Sequence, residues 1–328
     1  MQKHVLQWHI THKCNLRCKH CYQDNYCNDL TFEQLENIFY KYMEFVDLYN
    51  YKPHINITGG EPFVYKDLFK LLDLLEENSV TFGILTNGTL ITQKQIEKLS
   101  QYKMLSFVQV SIDGDKKTHE KIRGKGTFNK LIKCLKMLQK YNIQTMVSFT
   151  CHKQNYKQIK KVVKIIVKNK IDRFWTDRLI PIDNEKEIDK SMILSSIEYV
   201  NFLGDLRKLK QKYESKKNCK TIVHMNRALQ FYNDDPIYQC SAGKSLLTIL
   251  ANGDLLPCRR LPIILGNVLD KSISEIYFKS SVIKQLNNDK IPDDCKECGK
   301  AEQCRGGAKC LSYVMYGDFN NKDFNCLV

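Results

Sequence analysis

The residues in this sequence that most clearly suggest chemistry are Cys14, Cys18 and Cys21, spaced Cys-x3-Cys-x2-Cys after a short apolar segment. Three thiols this close together cannot all form disulfides, but they can bind three irons of a four-iron cluster. The fourth iron would then lack a protein ligand and would be open to a substrate or cofactor. A zinc site is the alternative interpretation. Its fourth ligand would be His12, His20 or Cys27.

A second group of cysteines lies in the C-terminal third, where glycines are frequent and regular periodicity is weak. Its members are Cys240, Cys258, Cys295, Cys298, Cys304, Cys310 and Cys326. A small domain with little regular structure needs a metal to hold it together, so we expect these thiols to bind metal. A zinc ribbon would explain Cys295 and Cys298 but would leave Cys304 and Cys326 without a role.

Short apolar runs alternate with amphipathic ones along the first 215 residues. The predicted strands are Val5–Thr11, His54–Thr58, Thr81–Thr86, Leu105–Asp113, Ile143–Thr150 and Asp172–Leu179. The predicted helices are Thr31–Tyr49, Lys66–Glu77, Thr92–Leu99, Phe128–Tyr141 and Tyr156–Val167. Parallel strands need crossover connections and cover on both faces, so this alternation predicts an α/β fold, a partial (β/α)6 TIM-like barrel.

Each polar motif of the first half lies at the carboxyl end of a predicted strand. Residues 14–21, 59–62 and 86–88 stand at the ends of the first, second and third strands, and residues 111–114 end the fourth. In barrels of this kind the carboxyl ends of the strands form the reactive rim. We therefore expect a barrel domain over residues 1–220 that carries the reactive site, followed by a small, irregular iron–sulfur domain over 221–328.

Composition and charge limit the other function classes. The chain has 328 residues, fourteen cysteines and a formal net charge of +15. Because its lysines follow helices without interleaved aromatic residues, a solvated basic exterior is favoured over a nucleic-acid surface. No run is long and apolar enough for a membrane span or a signal peptide, and we expect a cytoplasmic protein.

The cysteine loop, together with Gly59-Gly60-Glu61-Pro62 one β-α unit later, resembles the radical S-adenosylmethionine (radical SAM) superfamily. The resemblance implies that Cys14, Cys18 and Cys21 hold a [4Fe-4S] cluster that binds S-adenosylmethionine. It also implies that Gly59 and Gly60 let the backbone approach the methionine part of this cofactor. Glu61 would act on the methionine ammonium group directly or through backbone geometry.

The same resemblance assigns further cofactor contacts. It places Ser111, Asp113 and Arg123 near the carboxylate and ribose of S-adenosylmethionine, with Asn87 as a looser match. Strand-end and turn chemistry is the alternative for Asn87 and Asp113. Tyr22 resembles an aromatic residue that packs near the adenine, and core packing would explain it equally well.

The C-terminal cysteines resemble the SPASM extension, which carries auxiliary iron–sulfur clusters. By that pattern Cys295, Cys298, Cys304 and Cys326 would ligate one auxiliary [4Fe-4S] cluster. The remaining three, Cys240, Cys258 and Cys310, would ligate another. In that second set Ala308 stands where the family usually has a cysteine, and Cys310 is displaced by two positions. One or two auxiliary clusters are therefore expected.

The resemblance implies reductive cleavage of S-adenosylmethionine to a 5′-deoxyadenosyl radical, which abstracts hydrogen from a peptide or protein substrate and leads to a thioether or other crosslink. The expected partners are that substrate, a separate leader-binding protein and a low-potential electron donor such as flavodoxin or ferredoxin. Chemistry on haem precursors, suggested by the opening Trp8-x-x-Thr11-x-x-Cys14, and formylglycine formation in sulfatases are the alternatives.

Overall fold

The computed structural model describes residues 1–22, 29–181, 190–231 and 236–326, and Cys27 lies outside these ranges. Within them the strands are β1 Lys3–His9, β2 Lys52–Thr58, β3 Thr81–Thr86, β4 Leu105–Ser111, β5 Thr145–Cys151, β6 Arg173–Arg178, β7 Ile222–Val223, β8 Leu246–Ile249, β9 Asp254–Leu256 and β10 Gly266–Asn267.

The α-helices are α1 Phe32–Leu48, α2 Leu68–Glu77, α3 Gln93–Leu99, α4 Lys116–Arg123, α5 Thr127–Lys140, α6 Ile159–Lys168, α7 Ser196–Glu214, α8 Ile273–Lys279, α9 Ser281–Asn288, α10 Ala301–Cys304 and α11 Lys309–Tyr316. Short 3-10 helices cover Pro62–Val64, Tyr156–Gln158, Lys190–Met192 and Asp293–Cys295. The strands form a mostly parallel sheet that does not close, as expected for a partial barrel.

The chain divides into two compact units, and β4 is split between them. The first contains the described residues of Met1–Asn15, Gln23–Val108 and Ser241–Asp289. In it β1 pairs in parallel with β2 on one side and with β8 on the other. Leu6 and Trp8 of β1 are fully buried, as are Ile38 and Phe39 of α1. These contacts fix the strand that leads into the first cysteine.

The second unit contains the described residues of Leu16–Tyr22, Gln109–Cys240 and Lys290–Val328. In it β5 pairs in parallel with β6, and β6 with β7. Phe149 of β5 stacks on Phe202 of α7, with ring centroids 6.2 Å apart. This packing holds the carboxyl end of β6, which carries Arg178.

The six predicted strands and five predicted helices are all present, with ends shifted by up to three residues. The predicted cap of α1 is confirmed: the Thr31 hydroxyl accepts from the Gln34 amide, and the Gln34 side chain accepts from the Thr31 amide. Helix α4 was not predicted, because only His119 and Ile122 of its residues are buried. The pairing of β8 with β1 was not predicted either. The domain boundary at residue 220 stays a prediction.

Candidate functional site

The two glycines of the Gly59-Gly60 pair lie against the main chain that leads into Cys14. A Cβ atom on Gly59 would come within 2.4 Å of the Thr11 carbonyl oxygen, and one on Gly60 within 2.3 Å of the Lys13 carbonyl oxygen. The Gly60 amide donates to the Thr11 carbonyl over 2.8 Å. Any side chain at either position would push this segment away. The glycines are therefore required by chain packing even before a cofactor is considered.

The carboxylate of Glu61 is fully buried and connects two strand ends. One oxygen accepts from the Thr86 hydroxyl over 2.7 Å, and the other accepts from the Asn87 amide over 2.7 Å. The Asn87 side chain in turn places its amide nitrogen 3.9 Å from the Cys14 sulfur. Through these contacts Glu61 fixes the loop after β3 beside the first cysteine.

In the second unit, the predicted residues Asp113 and Arg123 form an ion pair beside Cys18. The Arg123 guanidinium donates to the buried Asp113 carboxylate, and its Nη1 lies 3.9 Å from the Cys18 sulfur. His20 approaches the same pair, with its Nε2 at 3.9 Å from Asp113 Oδ2. Because α4 ends at Arg123, the unpredicted helix is the element that positions this guanidinium.

Charge and burial oppose each other in this cluster. Burial alone would raise the pKa of Asp113, but Arg123 and His20 outweigh it and lower that pKa to about 2. Burial lowers the pKa of His20 to about 4, against the opposite effect of Asp113. Asp113 is therefore ionised and His20 neutral near pH 7, so the Asp113–Arg123 pair carries no net charge. Within the pair it is the Arg123 guanidinium that lies beside the Cys18 sulfur, and this placement of the positive charge suits an anionic thiolate.

The other predicted residues of this region are placed as follows. Cys21 is exposed, and its amide donates to the Cys18 carbonyl in a tight turn. Tyr22 is half-buried. The Ser111 hydroxyl lies 3.2 Å from that of Ser148 on the neighbouring strand. Their predicted contacts with S-adenosylmethionine stay predictions.

Four predicted auxiliary-cluster cysteines line one cavity of the second unit: Cys295, Cys298, Cys304 and Cys326. Leu229, Phe231 and Ala301 supply apolar walls, and Lys300 and Lys322 supply positive charge. Among the described residues, no three Cys, His, Asp or Glu side chains are close enough to hold a single metal ion. A four-iron cluster needs no such convergence, since each thiolate binds a different iron.

The electrostatics of this cavity favour the thiol over the thiolate at Cys295 and Cys304. Burial and the nearby Cys326 raise the pKa of Cys304 to about 11, and burial also raises the pKa of Cys295. Thiols must lose their protons to bind iron, so cluster assembly would release protons here. Four cysteine sulfurs around one cavity fit the complete ligand set of one [4Fe-4S] cluster.

The cysteines of the second predicted set are divided between the two units. Cys310 is buried in the first turn of α11, and Cys240 is half-buried, both in the second unit. Cys258 is buried and belongs to the first unit. The amide of Ala308, where the family usually has a cysteine, donates to the Asp323 carboxylate over 2.8 Å.

Arg178 and Asp323 form a buried ion pair that sequence reasoning missed. The two terminal guanidinium nitrogens of Arg178, Nη1 and Nη2, donate to the two carboxylate oxygens of Asp323 over 2.7 and 2.8 Å. The Cys326 amide donates to the Asp323 carbonyl over 2.9 Å. The pair thus connects the carboxyl end of β6 to the loop that bears Cys326. The sequence places Arg178 at a strand end but gives no sign of a partner 145 residues away.

Comparison with protein families gives two matches. Residues 8–166 match the model described as the Radical SAM superfamily. Residues 240–299 match SPASM, an iron–sulfur cluster-binding domain. The first range contains Cys14, Cys18 and Cys21, and the second contains four of the seven C-terminal cysteines.

Three curated relatives are similar to this chain, two named for porphyrin or heme synthesis and one for bacteriocin biosynthesis. An Fe-coproporphyrin III synthase of Methanosarcina barkeri is 36% identical over 181 residues, which cover 55% of this chain and 45% of the relative. An AdoMet-dependent heme synthase of the same organism is 23% identical over 98% of this chain and 96% of its own. The subtilosin biosynthesis protein AlbA of Bacillus subtilis is 26% identical over 95% of this chain and 67% of its own.

Solved structures show the same fold. SuiB of Streptococcus suis, bound to the precursor peptide SuiA, aligns with a TM-score of 0.78 at 21% identity, covering 100% of this chain and 76% of its own. Native anSMEcpe with bound AdoMet and Cp18Cys peptide aligns with a TM-score of 0.80 at 20% identity. The alignment covers 98% of this chain and 93% of the anSMEcpe chain.

Proposed function

Because the chain belongs to the radical SAM superfamily and carries a SPASM domain, and so uses S-adenosylmethionine and [4Fe-4S] clusters, we propose that it modifies a peptide or protein substrate. The modification we propose is a crosslink such as a thioether. When bound, the cluster and S-adenosylmethionine supply a 5′-deoxyadenosyl radical that abstracts hydrogen from the substrate.

The observation that carries the proposed radical chemistry is the packing of Gly59, Gly60 and Glu61 against the cysteine loop. Cys14, Cys18 and Cys21 would hold the cluster that binds S-adenosylmethionine. Because the Glu61 carboxylate is already bonded to Thr86 and Asn87, we assign it the second of its two predicted roles, through backbone geometry.

The neighbouring charges have separate roles in this proposal. Arg123, held by Asp113 beside Cys18, would offset the negative charge of the thiolates. Asn87 would donate toward the Cys14 sulfur. Cys295, Cys298, Cys304 and Cys326 would hold one auxiliary cluster, while Cys240, Cys258 and Cys310 would hold another. Two auxiliary clusters bring the total to three.

The support for a peptide substrate comes from AlbA, a bacteriocin biosynthesis protein that matches 95% of this chain. A second candidate is side-chain chemistry on a haem precursor, which is favoured by the Fe-coproporphyrin III synthase at 36% identity over 181 residues. The two candidates share the radical step and differ in the molecule that loses hydrogen.

The first experiment tests the chemistry itself. The protein is reconstituted with iron and sulfide without oxygen, and 5′-deoxyadenosine is measured after S-adenosylmethionine and dithionite are added. We expect about twelve irons per chain for three clusters, or about eight for two. Replacing Cys14, Cys18 and Cys21 by Ala should remove about four irons and abolish cleavage. The matched control replaces the unassigned Cys134, Cys151 and Cys219 by Ala. It should keep the full iron content and the cleavage of S-adenosylmethionine.

The second experiment identifies the substrate class. Deuterated peptides encoded near the gene, and deuterated porphyrin precursors of haem, are each incubated with the active enzyme. Deuterium in 5′-deoxyadenosine from a peptide would support the proposal, and deuterium only from the porphyrin would replace it with the second candidate.

A leader-binding protein and a cytoplasmic location remain part of the proposal. No helix in the described ranges is long and apolar enough to cross a bilayer.

A further inference from the structure

The helices α4 and α5 form a strongly basic surface of the second unit. Residues 115–140 contain eight lysines and Arg123, but only two acidic residues, Asp115 and Glu120. All eight lysines are exposed: Lys116, Lys117, Lys121, Lys125, Lys130, Lys133, Lys136 and Lys140. Asp115 is already paired with Lys161, at 2.8 Å. Most of the positive charge on this surface is therefore available to a partner.

A shallow groove runs along α5 within this surface. Phe128, Ile132 and Met137 line it with half-buried apolar side chains, and Lys133, Lys136 and Lys140 stand around them. An apolar centre with a charged rim is the usual anatomy of a protein interface. This groove, with the surrounding lysines of α4 and α5, is called the lysine groove below.

Direct contacts connect the lysine groove to the cysteine loop. The Phe128 ring packs edge-on against His119 of α4, with ring centroids 5.6 Å apart. One turn further along α4, Arg123 lies 3.9 Å from the Cys18 sulfur. The Lys19 amide also donates to the Ile122 carbonyl over 3.0 Å. A protein seated in the groove would lie against the helix that touches the loop of the predicted S-adenosylmethionine cluster.

We propose that the lysine groove docks an acidic one-electron carrier protein, which passes the electron used to cleave S-adenosylmethionine. This inference rests on the proposed radical function, which consumes one external electron for each cleavage. The carrier is oxidised by one electron, and the carbon–sulfur bond of S-adenosylmethionine breaks to give methionine and the deoxyadenosyl radical. Long-range attraction between opposite charges accelerates such encounters and weakens with salt.

The electron carrier is favoured over an acidic substrate peptide by the position of the groove. A peptide must bring its reacting carbon to the cofactor, whereas a carrier needs only a rigid face close to the cluster. The lysine groove lies on two packed helices, and its contacts lead to the Cys18 loop. It therefore provides the rigid face that an electron carrier needs.

The test compares two reductants with matched charge reversals. Flavodoxin, an acidic carrier, or dithionite, a small molecule, reduces the enzyme, and 5′-deoxyadenosine formation is measured. The groove variant is Lys133→Glu with Lys136→Glu. The control is Lys164→Glu with Lys168→Glu on α6, two exposed lysines with the same change in net charge.

We expect the groove variant to raise the half-saturating flavodoxin concentration by about tenfold at low salt and to leave the dithionite rate within about twofold. The control should stay within about twofold with both reductants. Raising the salt concentration should weaken flavodoxin binding to the wild-type enzyme, so that its half-saturating flavodoxin concentration approaches that of the groove variant. Equal effects of the two variants, or none, would overturn the proposal. A higher KM for an acidic peptide with dithionite, and unchanged flavodoxin dependence, would reassign the groove to the substrate.

Two further measurements separate this proposal from the proposed function. Binding of oxidised flavodoxin to the reconstituted enzyme needs no turnover, so it reports docking even if wild type fails to cleave S-adenosylmethionine. Its dissociation constant should rise about tenfold in the groove variant only. If that variant misfolds by circular dichroism, Lys133→Gln with Lys136→Gln removes the charge more mildly and should give a smaller rise in the same direction.

Discussion

The ion pair between Arg178 and Asp323 gives the sharpest test of how the chain holds its auxiliary cysteines. Arg178 is 7% exposed and Asp323 is 1% exposed, so both charges are removed from water. Asp323 also accepts from the Ala308 and Asn325 amides, and its carbonyl accepts from the Cys326 amide. Replacing Arg178 by Met should leave a buried carboxylate without its countercharge and loosen the loop that bears Cys326.

The size of the effect follows from this burial. Removing one partner of a buried ion pair costs about 3 to 5 kcal/mol, because the remaining charge stays desolvated. Two main-chain amides still bind Asp323 in Arg178→Met, so we expect the lower value, about 3 kcal/mol. Asp323→Leu should cost more, because it also leaves the buried Ala308 amide without an acceptor. The double variant Arg178→Met/Asp323→Leu should cost less than the sum.

Hydrogen exchange measures this effect where it occurs. A loss of about 3 kcal/mol should speed exchange of amides in residues 306–326 by about a hundredfold, and the reconstituted protein should lose iron. Lys210→Met serves as the control, because Lys210 pairs with Glu214 on an exposed helix face and should cost only about 0.5 kcal/mol. Unchanged exchange in residues 306–326 and a full iron content in Arg178→Met would refute the argument.

Three further predictions concern the first unit. Glu61→Gln should weaken S-adenosylmethionine binding by about tenfold, since a lost hydrogen bond to a charged group costs about 1.5 to 3 kcal/mol. Thr86→Val should weaken it in the same direction if Glu61 acts through the loop, and an unchanged dissociation constant in equilibrium dialysis would contradict that role. Gly60→Ala should displace the cysteine loop and lower the iron content, whereas Gly204→Ala, which has open space around it, should keep full iron. Burial lowers the pKa of His54 to about 4, so the folded state binds fewer protons than the unfolded state and stability falls as pH drops from about 6.5 to 4. The expected loss is about 3 kcal/mol, and in urea titrations His54→Gln should lose less stability over that range; a pH dependence identical to wild type would contradict this.

Much of the first half could be predicted because its signals are local. Apolar periodicity located the strands, and the Thr31–Gln34 pair located the start of α1. Helix α4 was not predicted, because it is short and mostly polar, although it carries Arg123. The pairing of β8 with β1 could not be predicted, because it joins segments about 240 residues apart. No local sequence pattern indicates which strand edge a distant segment will pair with.

The same difference separates what the sequence shows of the candidate site from what it hides. Cysteine spacing identifies candidate ligands, since each set is marked by residue type. The groups that position those ligands carry no such mark. Glu61 stands in a recognisable motif, yet its bonds to Thr86 and Asn87 depend on the packing of β2 beside β3. Arg178 and Asp323 look like ordinary surface charges until folding buries them together. The positioning residues are therefore where a structure adds most, and where substitutions best separate cluster assembly from radical chemistry.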